Sequence, residues 1–115
     1  MTEEIQVDDH GKLKCSIDYT LNKVGGKWKL VILWHVTFDG TQRYNELRRL
    51  LPGITHKMLS QQLKELEQDG LVVRTQYNEM PPRVEYSVSE KGLTLKPVLE
   101  AMHLWGTEQG GLAGE

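Results

Sequence analysis

The chain has 115 residues, 38% hydrophobic and 26% charged, which is the size of one domain able to bury a core and is far from the disordered or membrane-spanning extremes. Its one cysteine, Cys15, excludes an internal disulfide, the longest apolar run (Leu30 to Trp34) is far short of the ~20 residues that cross a bilayer, and the opening is acidic rather than basic and apolar, so the cytoplasm is the expected location. The net charge of −2 speaks against nucleic acid, yet from Thr41 to Lys64 five basic residues stand against the single acid Glu46, a local +4 compatible with a basic face on an acidic protein.

Residues 1–14 are polar, carry no apolar period and read as a flexible arm; a domain is expected over 15–106 and a frayed tail over 107–115. Ser16 is expected to cap a first helix with Ile17, Leu21 and Val24 on one face, ended by Gly25-Gly26. Lys27 to Phe38 is apolar almost all round, and its three turns favour a buried helix over a strand despite Val31, Ile32 and Val36; Asp39-Gly40 closes it. Arg43 to Leu51 reads as a helix with Tyr44, Leu47, Leu50 and Leu51 inward and Asn45, Arg48 and Arg49 outward, stopped by Pro52-Gly53.

Thr55 is placed to cap the strongest helix, His56 to Asp69, whose buried stripe is Leu59, Leu63 and Leu66 and whose end is Gly70. From Leu71 the pattern becomes strand-like to Tyr77, turns over Asn78 to Pro82, and returns over Val84 to Val88; Pro81-Pro82 cannot sit in a ladder and belong to the tip. Ser89 is expected to cap a last helix from Glu90 to about Trp105, with Gly92 and Pro97 arguing for a kink or a late restart. The fold class is therefore mainly α with a small β-hairpin, a winged helix-turn-helix.

A recognition helix must offer hydrogen-bonding side chains to base edges while its other face holds the core. Thr55 and then His56, Lys57, Ser60, Gln61 and Lys64 form one continuous face opposite the three leucines, basic in its N-terminal half, with Glu65, Glu67 and Asp69 at the far end. The positive end of the helix dipole acts in the same sense. Gln61 suits adenine and Lys57 suits guanine or phosphate; Arg83 at the wing tip is expected to reach the minor groove, and Arg43 and Arg74 to hold phosphates. Against this stands the plainer reading that any amphipathic helix has a polar outer face and any surface arginine is solvated. The competing function is a protein-binding winged helix without sequence-specific DNA binding.

Other signals carry less. Gly25-Gly26-Lys27 lacks the earlier glycine and the Ser or Thr of a phosphate-binding loop. His10, His35, His56 and His103 are scattered, so no metal site and no cofactor are expected. Trp28, Trp34 and Trp105, at helical positions in apolar surroundings, are expected in the core. Cys15 is the one imaginable nucleophile, with His10 as its base, and an enzyme is set aside.

With Gly25-Gly26-Lys27-Trp28, Arg43-Tyr44-Asn45-Glu46-Leu47, Leu51 to Ser60 (LPGITHKMLS), Leu63 to Leu71 (LKELEQDGL), Pro81 to Tyr86 (PPRVEY) and the final Gly92, Leu95, Pro97-Val98-Leu99 and Trp105, the chain resembles the HxlR family, a branch related to the MarR-type winged-helix regulators, from Cys15 to Trp105. Tyr44 stands where the family usually has Phe, Thr55 where it has Ser, Val88-Ser89 where Leu-Thr is common, and His56 is bulkier than expected. The resemblance implies a bacterial transcription regulator, usually a repressor, that binds double-stranded DNA as a homodimer on a palindromic operator. It places the dimer contact on the first and last helices, where Ile17, Leu21, Leu99, Met102 and Trp105 are the apolar candidates. It also implies a redox- or electrophile-sensing role for a cysteine just before the first helix, the position of Cys15. Lys12, Lys14 and the following helix's positive end are a setting in which thiols react, although an inert packed cysteine fits the same position. A small-molecule or oxidant effector is open on this reading, and no polar pocket for one is evident in the sequence.

Overall fold

The computed structural model describes residues 6–7 and 13–111; the acidic opening, His10 and Lys12 lie outside them. The elements run β1 (Gln6–Val7), β2 (Leu13–Lys14), α1 (Ser16–Val24), α2 (Lys29–Phe38), β3 (Gln42–Arg43), α3 (Tyr44–Leu50), α4 (His56–Gln68), β4 (Val72–Tyr77), β5 (Arg83–Val88), α5 (Glu90–Leu93) and α6 (Lys96–Gly110). This is a winged helix-turn-helix: α3 and α4 form the helix pair, and β4 and β5 form the wing.

Helix α4 forms where the spacing of its leucines places it. Thr55 takes extended backbone geometry and its hydroxyl accepts the Met58 amide at 3.1 Å, satisfying one of the open donors of the first turn. Leu59, Leu63 and Leu66 are fully enclosed, packed with Ile32, Leu33 and Val36 of α2, Leu47 and Leu51 of the α3 region and Tyr86 of the wing. The helix stops at Gly70, whose φ of 73° is the left-handed conformation that glycine adopts without penalty. An ion pair adds to this packing: Lys29, only 8% exposed at the start of α2, places Nζ 2.7 Å from Glu65 Oε1 on α4.

Several expectations are corrected. Cys15, not Ser16, is the N-cap of α1: its Sγ accepts the Asp18 amide at 3.4 Å. The segment expected as a loose arm pairs Gln6 with Lys14 and Val7 with Leu13. Leu50 is exposed, because α3 ends there and only Leu47 and Leu51 turn into the core. The wing sheet has a third strand, order β3-β5-β4, with Gln42 opposite Tyr86 and Arg43 opposite Glu85. Buried Gln42 closes the preceding turn by donating Nε2 to the Asp39 and Gly40 carbonyls, 3.3 Å each.

The last helix divides as Gly92 and Pro97 imply, into α5 and a restarted α6 with Pro97 in its first turn. However, α6 runs through Gly110, so the expected boundary at 106 falls inside a helix. Trp105 is 68% exposed rather than core, while Trp34 stacks on His103 across the α2–α6 joint with ring centroids 4.7 Å apart.

Gly92 is required by proximity rather than by φ. A Cβ there would fall on the Leu71 carbonyl oxygen and within 2.8 Å of Val88 Cγ2. The α5 turn is held against the strand at this point by Ser89, whose hydroxyl donates to the Gly70 carbonyl and accepts the Gly92 amide at 2.9 Å. Gly92→Ala is expected to lower unfolding free energy by about 1–3 kcal/mol, the usual effect of overpacking; denaturant titration checks this, and an unchanged midpoint would show that the α5 turn is free to move away.

The carboxyl of Glu65 is held below its ordinary value of 4.5 by the hydrogen bond from Lys29, then by that from Gln61, then by the Lys29 charge. A depressed folded-state pKa stabilises above the unfolded value, and that contribution is lost as pH falls through the folded one. Glu65→Gln should therefore melt below the parent at pH 7, with the gap closing as pH falls from about 4.5. Melting curves from pH 7 to 3 decide it; a gap independent of pH would assign the loss to packing instead.

Candidate nucleic-acid interface

The buried stripe of α4 fixes what its other side shows. His56, Lys57, Ser60, Gln61 and Lys64 are all exposed, one face of a helix whose N-terminus, capped by Thr55, leads it outward. Met58 is also partly exposed beside them. Lys57 and Lys64 have no ion-pair partner among the described residues, and neither do Arg43 and Arg74. Their charges are thus available to phosphate.

Two contacts hold parts of this face in place. Gln61 Nε2 donates to Glu65 Oε2 at 3.2 Å, and Glu65 in turn is anchored by buried Lys29, so the outward amide is tied to the core through one carboxylate. At the other end, the Tyr44 hydroxyl of α3 lies 2.6 Å from His56 Nδ1, 3.1 Å from the His56 carbonyl oxygen and 3.3 Å from Ser60 Oγ, with the two rings edge to face at 5.1 Å. Expected as an inward core residue, Tyr44 is half-buried and reaches across to the outer face. Its substitution for the usual Phe is the signal that could have found it.

Arg74 on β4 borders an open hollow with Ser60, Lys64, Glu67 and Tyr86, which places the strand's cation beside the outer half of α4. Arg43, at the N-cap of α3, donates its amide to Glu46 Oε1 at 2.7 Å and keeps its guanidinium exposed. A second hollow runs between α3 and the wing loop, with Arg43, Asn45 and Arg49 on one side and Glu79 and Met80 on the other. Periodicity gives Arg49 only an outward direction, and the fold brings it into this company.

Arg83 is the first residue of β5, opposite Tyr77 in the last pair before the 78–82 loop, and so lies at the tip end of the hairpin. Its guanidinium lies 3.2 Å from Glu79, 3.6 Å from Glu85 and 4.2 Å from the centre of the Tyr77 ring. With two carboxylates and an aromatic face already engaged, it braces the loop end of the wing.

Of the apolar candidates on the terminal helices, Ile17, Leu21, Met102 and Trp105 are exposed and Leu99 is not. Leu99, 3% exposed, completes the core of its own chain where the start of α6 packs on α2. Tyr19 on α1 and Val98 and Leu104 on α6 are further exposed apolar residues on the same helices. Cys15 is half-buried at the N-terminus of α1 and unpaired. Of Lys14, near it in sequence, only the backbone is described. No helix among the described residues is long and apolar enough to cross a membrane.

Comparison with known proteins agrees with this geometry. The model of the HxlR-like helix-turn-helix family matches residues 23–112. A chain of Fusobacterium mortiferum that carries the name regulatory protein MalR is 56% identical over 104 residues, 90% of this chain and 98% of that one. Among solved structures, the redox regulator HypR in its oxidised form is 48% identical with a TM-score of 0.78, covering 82% of this chain and 96% of the other. A structure from Porphyromonas gingivalis W83, named as a transcriptional regulator of the MarR family, is 36% identical with a TM-score of 0.79, covering 90% and 97%. The chain thus belongs to the HxlR-like helix-turn-helix family and is a DNA-binding transcription regulator, not an enzyme.

Proposed function

We propose that the protein is a cytoplasmic repressor that binds a palindromic operator as a homodimer, reading bases with the N-terminal half of α4. The observation that carries this is the outer face of α4: five exposed polar side chains, two of them unpaired cations, directly opposite three fully enclosed leucines. Gln61 is the direct reader, suited to adenine; Lys57 takes guanine or phosphate; Arg43, Arg74 and Lys64 hold the backbone. Arg83 acts by shaping the wing rather than by entering the groove, since its charge is matched by two carboxylates. The exposed apolar residues Ile17, Leu21, Met102 and Trp105 supply the contact between protomers.

Selection from a random duplex library at about 0.15 M salt should recover a palindrome with half-sites about one helical turn apart. On that site Gln61→Ala should lose base discrimination worth about 1–3 kcal/mol and retain non-specific affinity, while Arg74→Ala weakens all duplexes alike. Equal losses on operator and random duplex for Gln61→Ala would remove it from direct readout; enrichment of nothing would favour the protein-binding alternative.

Cys15 is proposed as an oxidant sensor. Its support is its half-buried place at the head of an exposed helix and the likeness to a chain named as a redox regulator. As the lone cysteine it can be oxidised by itself or joined to the partner's Cys15, two thiols giving one disulfide as diamide takes up two hydrogens. Diamide should reduce operator binding by the parent and leave Cys15→Ser unaffected; the same response in both would end the sensor reading.

A further inference from the structure

From the contacts at the head of α4 we infer that Tyr44 is a positioning residue that sets the tautomer of His56, and that His56 Nε2–H is a base-reading donor. The inference rests on the DNA-binding reading above and deepens it. Tyr44 has one proton to donate and three neighbouring oxygens and nitrogens to meet. The His56 carbonyl oxygen can accept the same proton, but it lies farther away, at 3.1 Å, and also serves the helical ladder. Nδ1 has no such partner and is the nearest, at 2.6 Å. Ser60 Oγ, at 3.3 Å, is able to donate to the Tyr44 oxygen in return.

The consequence follows from the two-nitrogen chemistry of imidazole. With Nδ1 accepting from Tyr44, the ring proton of neutral His56 sits on Nε2, which has no partner among the described residues and belongs to an exposed side chain. The recognition face therefore gains a fixed donor at its leading end. In the major groove such a donor finds guanine N7 or O6, adenine N7 or thymine O4, and is refused by the cytosine and adenine amino groups, so its preference is for a particular edge position rather than for one base. The edge-to-face packing of the two rings limits how far the imidazole can swing.

Two measurements on the full chain test it. Nitrogen-15 spectra of His56 at pH 8 should show the Nε2–H form in the parent and a mixture of tautomers in Tyr44→Phe, which keeps the ring and loses only the hydroxyl; an Nδ1–H parent overturns the inference. Duplex selection with parent, Tyr44→Phe, His56→Ala and the double variant should show both single changes relaxing preference at the same base pair of each half-site by roughly five-fold, the worth of one hydrogen bond. The double variant should lose no more than His56→Ala, and affinity for random duplex should stay within about two-fold in all four. Loss in His56→Ala with full preference in Tyr44→Phe overturns the positioning role, and unchanged preference in both overturns the donor. A parent that selects no sequence overturns the operator reading and with it the base-reading step, while the tautomer spectrum still reports separately on the Tyr44 contact.

Discussion

The packing of Leu59, Leu63 and Leu66 against α2 is the constraint from which the rest of the interface follows. Three side chains on one stripe, each enclosed by Ile32, Leu33, Val36, Leu47 or Leu51, leave α4 a single rotational setting. Rotating the helix by even one residue's step would turn the leucines out of the core and turn in Lys64 in one sense or Glu65 in the other, at a cost of several kcal/mol for the buried charge and the lost apolar contact together. The polar face is thus aimed outward by what happens on the opposite side. The outward setting of this face is a consequence of core packing before it is a property of its polar residues.

On that frame, polar contacts set finer details. Lys29 and Glu65 join α2 to α4 at one end and, through Gln61, extend order from the core to the surface. Tyr44 does the corresponding work at the other end, from α3. Both are side-chain bridges between elements, and both terminate on residues of the outer face of α4. A face held this way loses less freedom on binding than five independent side chains would, which favours specificity over simple electrostatic adhesion.

Charge distribution shows a similar division. The protein as a whole is acidic, yet Lys57, Lys64, Arg74 and Arg43 have no ion-pair partner among the described residues, whereas Arg83 is paired with two carboxylates. Positive charge without an ion-pair partner among the described residues is concentrated on α4 and its flanks. The wing contributes shape, held by an arginine stacked on Tyr77 and pinned between two glutamates.

The order and type of the main elements could be read from the residues, because helix periodicity, Thr55, Gly70, Pro52-Gly53 and the Pro81-Pro82 tip are local signals that act within a few positions of themselves. The exposed character of His56, Lys57, Ser60, Gln61 and Lys64 followed from the same periodicity. What the tertiary structure decided were features that depend on which faces meet. Strand β3 is two residues long and exists only because β5 lies beside it. Leu99 and Trp105 share a helix and an apolar character, and only the position of α2 makes one of them core and the other surface. The burial of Lys29, the reach of the Tyr44 hydroxyl and the matching of Arg83 each depend on a partner in a neighbouring element or across a turn. Local sequence determines periodicity, caps and turns because those interactions close within a turn of backbone; pairings between elements are decided by packing, which no single segment contains.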